Sequence, residues 1–367
     1  MGGWSDIRVN GRNRIKTGLY PICIHRIGIG GIGRDTGMIT HPIYGGLGNQ
    51  LFQIFTVIAL SLKTGHPFFF KYRTLIDDQD THRHTYWNTL LAKLRPYTVD
   101  MDVADDMDSV VPRPGFLSWP KVEIAEPHHE YFEMVPNLIP PLAVIREFTD
   151  EPHEVVYELG GFFQSYKYFE AEFVQICETI GVREHQAAIR AEVGTEVAPI
   201  AIHFRRGDYK GLQHIHPILP FEYYRNSLTL VLEKLGTGTV PEEPGSVTVA
   251  VTLFCEKEDM ADIYEGVVLR LAPLFPKCSF QFAPMDMVEW KHMLLMSLSR
   301  CIITANSTFS LWAAMLCPHP DPIVCYTWYW FTELFERNVK DMFSPRWYKV
   351  GHIVCEKDGE KSRHKVY

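Results

Sequence analysis

The alternation of short apolar runs with helical segments constrains the fold of this chain more than any other feature. PIAIHF, VTVAVTLF and CIITA have the composition of buried strands, and helical patterns lie between them, one of which starts at Pro220. Strands that alternate with helices pair in parallel, so we predict an α/β fold with parallel, Rossmann-like sheets. The chain has 367 residues. Because a single core usually stops growing at roughly 250–300 residues, we expect two domains.

The N-terminal half follows the same alternation from Met38 onward. MITHPIY is typical of a short strand, GGLGN of a turn, and the apolar residues of LFQIFTVIALSL recur at helical spacing. VVYELGG and AEFVQICETI then repeat the order of strand and helix. We therefore divide the chain into a flexible leader, two α/β domains and a tail, over residues 1–37, 38–190, 191–350 and 351–367.

Charge and hydropathy exclude some classes of partner. The formal net charge is −8, which gives no electrostatic footprint for nucleic acid or for an anionic membrane. The longest apolar run, Leu51–Leu62, is about half of the ~20 residues that a membrane-spanning helix needs. The first residues lack the apolar core of a signal peptide. We expect a soluble, cytoplasmic protein, and Golgi-type membrane association would require an anchor upstream of this sequence.

The eight cysteines are scattered along the chain and form no CxxC pair, so a zinc knuckle is not expected. Several of them, such as Cys301 and Cys325, lie in apolar runs, which favours free buried thiols over a disulfide framework. This use of cysteine favours a reducing compartment.

Three other patterns suggest a ligand site but have a simpler interpretation. GIGGIG (Gly28–Gly33) has the spacing of a dinucleotide-binding fingerprint, but glycine and proline interrupt the helix that should follow it, which favours a loop. The acidic run Asp100–Asp108 is interpreted as a solvated loop. Three histidine pairs lack a third metal ligand, so no metal site is predicted: His82 with His84, His128 with His129, and His214 with His216.

Three segments have the composition of a ligand site at strand ends. In GGLGNQLFQIF, glycines such as Gly46 permit close backbone approach and Asn49 offers an amide; a tight turn with a helix cap is the alternative. In HFRRGDY, Arg205 and Arg206 follow a strand, where ligands bind in open α/β sheets, and their guanidinium groups suit a pyrophosphate. The alternative there is a salt-bridged surface loop.

The third segment is ANSTFSLWAAML, in which a strand ends and a helix begins. Asn306, Ser307 and Thr308 place hydroxyls and free backbone N–H groups at the helix N-terminus, which is an anion site or plain N-capping. The same three residues form a glycosylation sequon, whose use is not expected in such a turn.

Taken together and in this order, GGLGNQLFQ, ELGGFFQSYKYF, HFRRGDY and LMSLSRCIITANSTFSLWAAML resemble the α-1,2-fucosyltransferases of glycosyltransferase family 11. These belong to a superfamily with the α-1,6- and protein O-fucosyltransferases. The resemblance runs from Met38 to Trp347. It implies a GT-B-like fold, with two Rossmann-like domains facing across a cleft, and transfer of fucose from GDP-fucose to the 2-hydroxyl of a galactose-terminated acceptor, with inversion and without a metal. The N-terminal domain would serve the acceptor and the C-terminal domain GDP-fucose.

The resemblance also implies roles for individual residues. Arg205 would bind the diphosphate, Arg206 would support its loop, and His203 would lie near the guanosine. The segment Ser307, Thr308 and Phe309 would cradle the phosphates and the nucleoside, and Asn49 would reach in from the N-terminal domain. Where the family often has a serine and two acidic residues after its central strand, this chain has CEKED, so nucleoside contacts there are in doubt.

The catalytic base stays open at the level of sequence. The position of the glutamate that serves the α-1,6 relatives falls near Gln213, which is not a useful base, and leaves Asp208 and Glu222 as candidates. Asp208 would either take the proton or orient an arginine. The alternatives to the whole assignment are a fucosyltransferase of other regiochemistry, a catalytically inactive sugar-binding homologue, and an NAD-linked oxidoreductase that uses GIGGIG.

Overall fold

The computed structural model describes residues 37–78, 81–100, 118–128, 130–149, 153–194, 197–236, 249–327, 329–332 and 339–351. These residues belong to one compact unit, Ile32–Tyr367. Several predictions fall outside the described residues: the leader up to residue 36, which contains GIGGIG, all of the acidic run after Asp100, and the tail from residue 352.

The described residues of the N-terminal half contain seven short strands and four α-helices. A parallel sheet has the order β1–β7–β6, and two two-stranded sheets pair β2 with β5 in parallel and β3 with β4 as an antiparallel hairpin. The strands are β1 (Met38–Thr40), β2 (Phe70–Lys71), β3 (Leu75–Asp78), β4 (Thr81–His84), β5 (Thr98–Val99), β6 (Lys121–Ala125) and β7 (Val156–Gly160). The helices are α1 (Leu47–Thr64), α2 (Leu142–Phe148), α3 (Phe173–Ile180) and α4 (Val182–Val193).

The C-terminal half contains one six-stranded sheet in which all neighbouring strands are parallel. Its strands are β8 (Ile200–His203), β9 (Val249–Phe254), β10 (Cys278–Phe282), β11 (Cys301–Ile303), β12 (Ile323–Thr327) and β13 (Tyr348–Val350). The helices are α5 (Phe221–Leu235), α6 (Met260–Ile263), α7 (Leu269–Leu271), α8 (Glu289–Ser297) and α9 (Thr308–Met315), and a π-helical turn, Tyr264–Val268, joins α6 to α7.

The strand order of this sheet, β10–β9–β8–β11–β12–β13, places the first strand in the middle and builds outward in both directions. This is the Rossmann order, and the direction of building reverses between β8 and β11. A crevice opens outside the carboxyl ends of two strands at such a reversal, and ligands bind there. The predicted α/β class with parallel sheets is confirmed.

Helix α1 joins the two halves. It is buried along most of its length, and Phe52 and Phe55 pack on Trp312 of α9, with ring centroids 5.1 and 4.5 Å apart. The helix ends at Gly65, whose φ of +79° is the left-handed conformation that glycine adopts without strain. One apolar core therefore extends from the N-terminal sheet to the C-terminal sheet, and the predicted boundary between residues 190 and 191 stays a prediction.

Two predictions about the whole chain concern cysteines and membrane spans. Six cysteines lie in the described ranges, and all six are free thiols that are buried or half-buried. Within those ranges, no helix combines the length and the apolar character needed to cross a membrane.

Candidate active site

A cavity of about 310 Å³ lies where β8 and β9 end and α9 begins. Its C-terminal wall contains the residues after β8 and the first residues of α9. Its N-terminal wall contains Gly46–Asn49, at the start of α1, and Arg83 of the β3–β4 hairpin. The cavity therefore occupies the reversal point of the sheet, and the N-terminal half closes its other side.

The glycine-rich turn before α1 is fixed by two buried glutamines of the same motif. Gly45 has a φ of +79°. The Gln50 amide donates to the carbonyl of Gly45, at 2.9 Å, and to that of His84, at 2.8 Å. Gln53 accepts from the backbone N–H of Tyr44 and donates to its carbonyl. The glutamines of GGLGNQLFQ thus hold both the turn and the end of the β3–β4 hairpin beside the cavity.

The two walls touch where α1 meets α9. The Asn49 Oδ1 accepts from the Thr308 hydroxyl, at 3.0 Å, and from the Gln164 amide, at 2.8 Å. A Cβ added at Gly48 would lie 2.5 Å from the carbonyl carbon of Thr308. Gly46 is the N-cap of α1, without a side-chain cap, and also lines the cavity. The helix-cap interpretation of this motif therefore describes Gly46, and contact of the turn with a ligand stays a prediction.

The adjacent arginines after β8 differ in position, and only Arg205 lines the cavity. The Arg205 guanidinium donates to Glu256 and, at 2.7 Å, to Asp208. Asp208 also pairs with Arg83 across the cavity, at 3.3 Å. Arg206 does not line the cavity. Neighbouring side chains of an extended segment point to opposite faces, so this position is compatible with the supporting role expected for Arg206, which stays a prediction.

The loop that carries Arg205 is anchored to the rest of the C-terminal half. The backbone N–H of Gly207 donates to Asp259, at 2.9 Å, and Lys210 pairs with the other oxygen of the same carboxylate, at 2.6 Å. The Tyr209 hydroxyl donates to the carbonyl of Asn306, at 3.0 Å. These contacts fix the guanidinium of Arg205 relative to the start of α9.

The start of α9 faces the cavity as the sequence predicts. The Ser307 hydroxyl caps the helix by accepting from the N–H of Phe309, at 3.3 Å. Ser307, Thr308 and Phe309 all line the cavity. Capping leaves other N–H groups of the first turn without helical partners, and such groups suit an anion.

Asn306 departs from the prediction that it binds the ligand. Its side chain is fully buried and donates to the carbonyl of Pro217, at 2.9 Å, and it does not line the cavity. The residue lies between the strand and the helix cap and points into the protein, so it holds the neighbouring loop. A fully buried side chain is also closed to glycosylation in the folded protein.

His203 is a buried, neutral imidazole at the bottom of the cavity. Burial, the Arg205 guanidinium and His292 lower its pKa to about 3. The ring lies against Phe309, with centroids 5.4 Å apart. Its Nδ1 has no hydrogen-bond partner among the described residues. A neutral imidazole with a free ring nitrogen exchanges a hydrogen bond with a ligand without adding charge.

The structure does not bring Glu222 to the cavity. The residue lies in the first turn of α5, after Pro220, and faces Arg270 of α7, at 3.7 Å. The prediction that Glu222 is a candidate base is therefore wrong, because the first turn of α5 directs its carboxylate toward α7 and away from the cavity.

Several lining residues are absent from the sequence prediction. Glu256 lies two residues after the end of β9, in the segment CEKED, so the strand-end rule that selected Arg205 also applies to it. Arg83, in a two-stranded hairpin, and Glu289, which starts α8, have no local motif that would select them. Across the described ranges, no three His, Cys, Asp or Glu side chains are arranged to hold a metal ion.

Comparison with known proteins gives distant structural likenesses. No family model matches the chain, and no curated protein matches it. POFUT1 in complex with GDP is similar with a TM-score of 0.44 and 13% identity, over 78% of this chain and 96% of that chain. A mutant of Arabidopsis thaliana FUT1 in complex with GDP gives 0.42 and 12%, over 80% and 71%. NodZ alpha-1,6-fucosyltransferase co-crystallized with GDP gives 0.37 and 14%, over 77% and 93%.

Proposed function

We propose that this protein is a fucosyltransferase that moves L-fucose from GDP-fucose to the 2-hydroxyl of a galactose, or a similar sugar, at the end of a glycan acceptor. The reaction inverts the anomeric configuration and needs no metal ion. The GDP portion of the donor lies against the C-terminal wall, and the acceptor enters from the side of the N-terminal wall.

One observation carries the proposal: motifs that are more than a hundred residues apart in sequence line one cavity. Asn49 of GGLGNQLFQ, Arg205 of HFRRGDY and Thr308 of ANSTFSLWAAML all lie on it. These are the segments on which the resemblance to fucosyltransferases rests. The cavity also lies at the strand-order reversal, where Rossmann-like sheets bind nucleotides.

The chemistry of the cavity suits departure of a diphosphate. As the bond from the fucose anomeric carbon to the phosphate oxygen breaks, negative charge develops on the diphosphate. The Arg205 guanidinium and the N–H groups at the start of α9 are fixed donors that stabilise this charge without reorganising. Such fixed donors take the part that a divalent cation has in other sugar transferases.

Asp208 orients the arginines in this proposal. Its carboxylate pairs with both Arg205 and Arg83. One of its oxygens pairs with Arg205 and the other with Arg83, so both oxygens are occupied by guanidinium groups and neither is left for an acceptor hydroxyl. The orienting role, one of the two roles open from sequence, is therefore the one that we propose.

A screen of donors and acceptors tests this function. The protein is incubated in EDTA with GDP-fucose, GDP-mannose or UDP-galactose and with galactose-terminated oligosaccharides, and the product linkage is determined by NMR. We expect turnover of GDP-fucose alone and an α-1,2 linkage. A different linkage would indicate another regiochemistry, and GDP-fucose binding without any turnover would indicate an inactive sugar-binding homologue. Activity that EDTA abolishes and Mg²⁺ or Mn²⁺ restores would contradict metal independence.

A further inference from the structure

Three carboxylates line the cavity, and they differ in what they are bonded to. Asp208 and Glu256 both pair with Arg205. The third, Glu289, accepts a hydrogen bond from the hydroxyl of Tyr86. Within the described part of the chain, no lysine or arginine forms an ion pair with Glu289. Asp208 and Glu256 therefore pair with a guanidinium group, whereas Glu289 is hydrogen-bonded to a neutral hydroxyl.

The contact between Glu289 and Tyr86 joins the two halves of the protein. Glu289 is the first residue of α8, in the C-terminal half, and Tyr86 follows the β3–β4 hairpin of the N-terminal half. Tyr86 is 5% exposed. Burial, together with the adjacent Glu289 carboxylate, raises the pKa of Tyr86 far above its ordinary value. The hydroxyl therefore keeps its proton and donates a hydrogen bond to the carboxylate.

Other charged and titratable groups near Glu289 have partners elsewhere. Lys291, also on α8, pairs with Glu192 of α4, at 2.6 Å. His292 contacts the carbonyl of Pro284, at 2.6 Å. Arg83, which lies close enough to Tyr86 to act on its charge, pairs with Asp208. The Tyr86 bond occupies Oε1 of Glu289. Within the described residues the second oxygen forms no hydrogen bond or ion pair, and Glu289 is exposed on the cavity lining.

We propose that Glu289 is the catalytic base of this site and that Tyr86 is the residue that positions it; this inference rests on the proposed function. The acceptor hydroxyl oxygen forms a bond to the fucose anomeric carbon, and the bond from that carbon to the β-phosphate oxygen breaks. The electron pair of the broken bond leaves with GDP. The hydroxyl proton passes to the free oxygen of Glu289 and from there to water.

Asp208 and Glu256 both hold the Arg205 guanidinium. Proton transfer to either carboxylate would break an ion pair that fixes this cation beside the leaving diphosphate, which disfavours both of them as the base. Glu222 lies outside the cavity. Glu289 combines a position on the lining with a partner that fixes the carboxylate by a single hydrogen bond and adds no positive charge.

Two variants test the base, and Glu192→Gln is the matched control because it removes a carboxylate beside α8 but outside the cavity. Release of GDP from GDP-fucose is measured with lactose as acceptor and with water alone, and the affinity for GDP is measured by calorimetry. We expect Glu289→Gln to lower kcat by about 10²-fold or more, as loss of a general base does, with the GDP Kd within about twofold of wild type because the base does not bind the diphosphate. The control should keep wild-type values.

Tyr86→Phe should lower kcat by less, about tenfold, and should leave the KM for the acceptor and the Kd for GDP close to the wild-type values, because the hydroxyl positions the base and contacts neither substrate. A defect of packing would weaken GDP binding together with turnover. The split between kcat and KM in Tyr86→Phe also tests the base if Glu289→Gln fails to fold.

The outcomes separate this inference from the proposed function. If wild-type protein releases no GDP from GDP-fucose under any condition, the proposed function fails and the base assignment falls with it. If wild-type protein is active and Glu289→Gln is equally active, the base assignment alone is wrong. Equal loss of GDP affinity and of turnover in Glu289→Gln would make the residue a donor-binding group and would also overturn the assignment.

Discussion

The two walls of the cavity differ in the backbone structure that supports them. The C-terminal wall follows directly from strands in the middle of a six-stranded parallel sheet, and its loop is anchored by Asp259 and Tyr209. The N-terminal wall is a glycine turn and a two-stranded hairpin, next to a sheet of three strands. The wall that contains Arg205, the cation that we propose binds the diphosphate, is thus the one with the more extensive backbone support.

The difference shows how the N-terminal wall is positioned. Among the described residues, three side-chain hydrogen bonds or ion pairs join the N-terminal half to residues of the C-terminal wall: Asn49 with Thr308, Arg83 with Asp208, and Tyr86 with Glu289. We infer that the C-terminal wall sets donor recognition, whereas the N-terminal wall tunes it through these contacts and receives the acceptor. Changes to the C-terminal wall should therefore have the larger effects.

The largest effect is expected from Arg205→Ala, which removes the cation of the C-terminal wall. Loss of one fixed transition-state contact typically lowers the rate by about 10²–10³-fold. Arg205→Lys should also be poor, because an ammonium does not reproduce the planar fork of a guanidinium. Turnover of GDP-fucose is the measurement, with Arg300→Ala, an exposed arginine before β11, as the control. Near-normal turnover in Arg205→Ala would contradict the inference that the C-terminal wall sets donor recognition.

Gly48→Ala tests the closest approach of the two walls. The added Cβ would lie 2.5 Å from the Thr308 carbonyl carbon, and such overpacking costs about 1–3 kcal/mol of stability. We expect a lower melting temperature and weaker GDP binding. Gly266→Ala is the matched control, because nothing lies within 4 Å of its added Cβ. If both variants behave like wild type, the walls are less closely joined than the contact at Thr308 indicates.

Much of the C-terminal wall was accessible from sequence, and for a physical reason. Strand composition located β8 and β11, and polar residues directly after a buried strand must lie at its carboxyl end. This logic selected Arg205, Ser307 and Thr308. It did not distinguish Asn306 from Ser307 and Thr308. Neighbouring side chains at a strand end point in different directions, so one of them can face the cavity while the next faces the protein interior.

The N-terminal wall was less accessible. GGLGNQ marks a turn before a helix, which led to Gly46 and Asn49. The hairpin with Arg83 and the contact of Tyr86 with Glu289 depend on tertiary packing between residues that are far apart in sequence, 203 positions for the latter pair. No local pattern encodes such a contact. Glu222 shows the converse, because its placement depends on the direction in which α5 begins.

Asp208→Asn is expected to have a smaller effect, because it weakens the pairing of the walls while leaving both arginines in place. Loss of a charge-assisted partner costs about 1.5–3 kcal/mol in favourable cases, but Asp208 is partly exposed, and we expect only about a tenfold change. GDP affinity by calorimetry should fall together with turnover. If GDP binds normally and turnover collapses, Asp208 is the base, and the assignment of Glu289 is wrong.

The last comparison concerns stability and not turnover, and it takes one buried histidine from each half. The pKa of His203 is lowered to about 3 and that of His41, after β1, to about 4, in both cases chiefly by burial. Between these values and about 6.5, the unfolded chain binds a proton that the folded chain does not. The free energy of unfolding should therefore fall as pH is lowered below about 6.5, by up to about 1.4 kcal/mol per pH unit for each group.

Urea unfolding between pH 4.5 and 7.5 measures this slope. His203→Gln and His41→Gln should each reduce it, whereas His128→Gln, an exposed histidine, should leave it unchanged. If the free energy of unfolding depends on pH equally in wild type and in both variants, groups other than His203 and His41 cause the acid sensitivity.

The proposed diphosphate site at Arg205 is tested most directly by calorimetric titration of GDP into wild-type protein and into Arg205→Ala, both in excess EDTA. We expect GDP to bind the wild-type protein without metal. The variant should lose at least about tenfold in affinity for GDP, because a charge-assisted contact to phosphate contributes about 1.5–3 kcal/mol. Equal affinity of the two proteins for GDP, or binding by the wild-type protein only after a divalent cation is added, would contradict a diphosphate site formed by Arg205 at the ends of the strands.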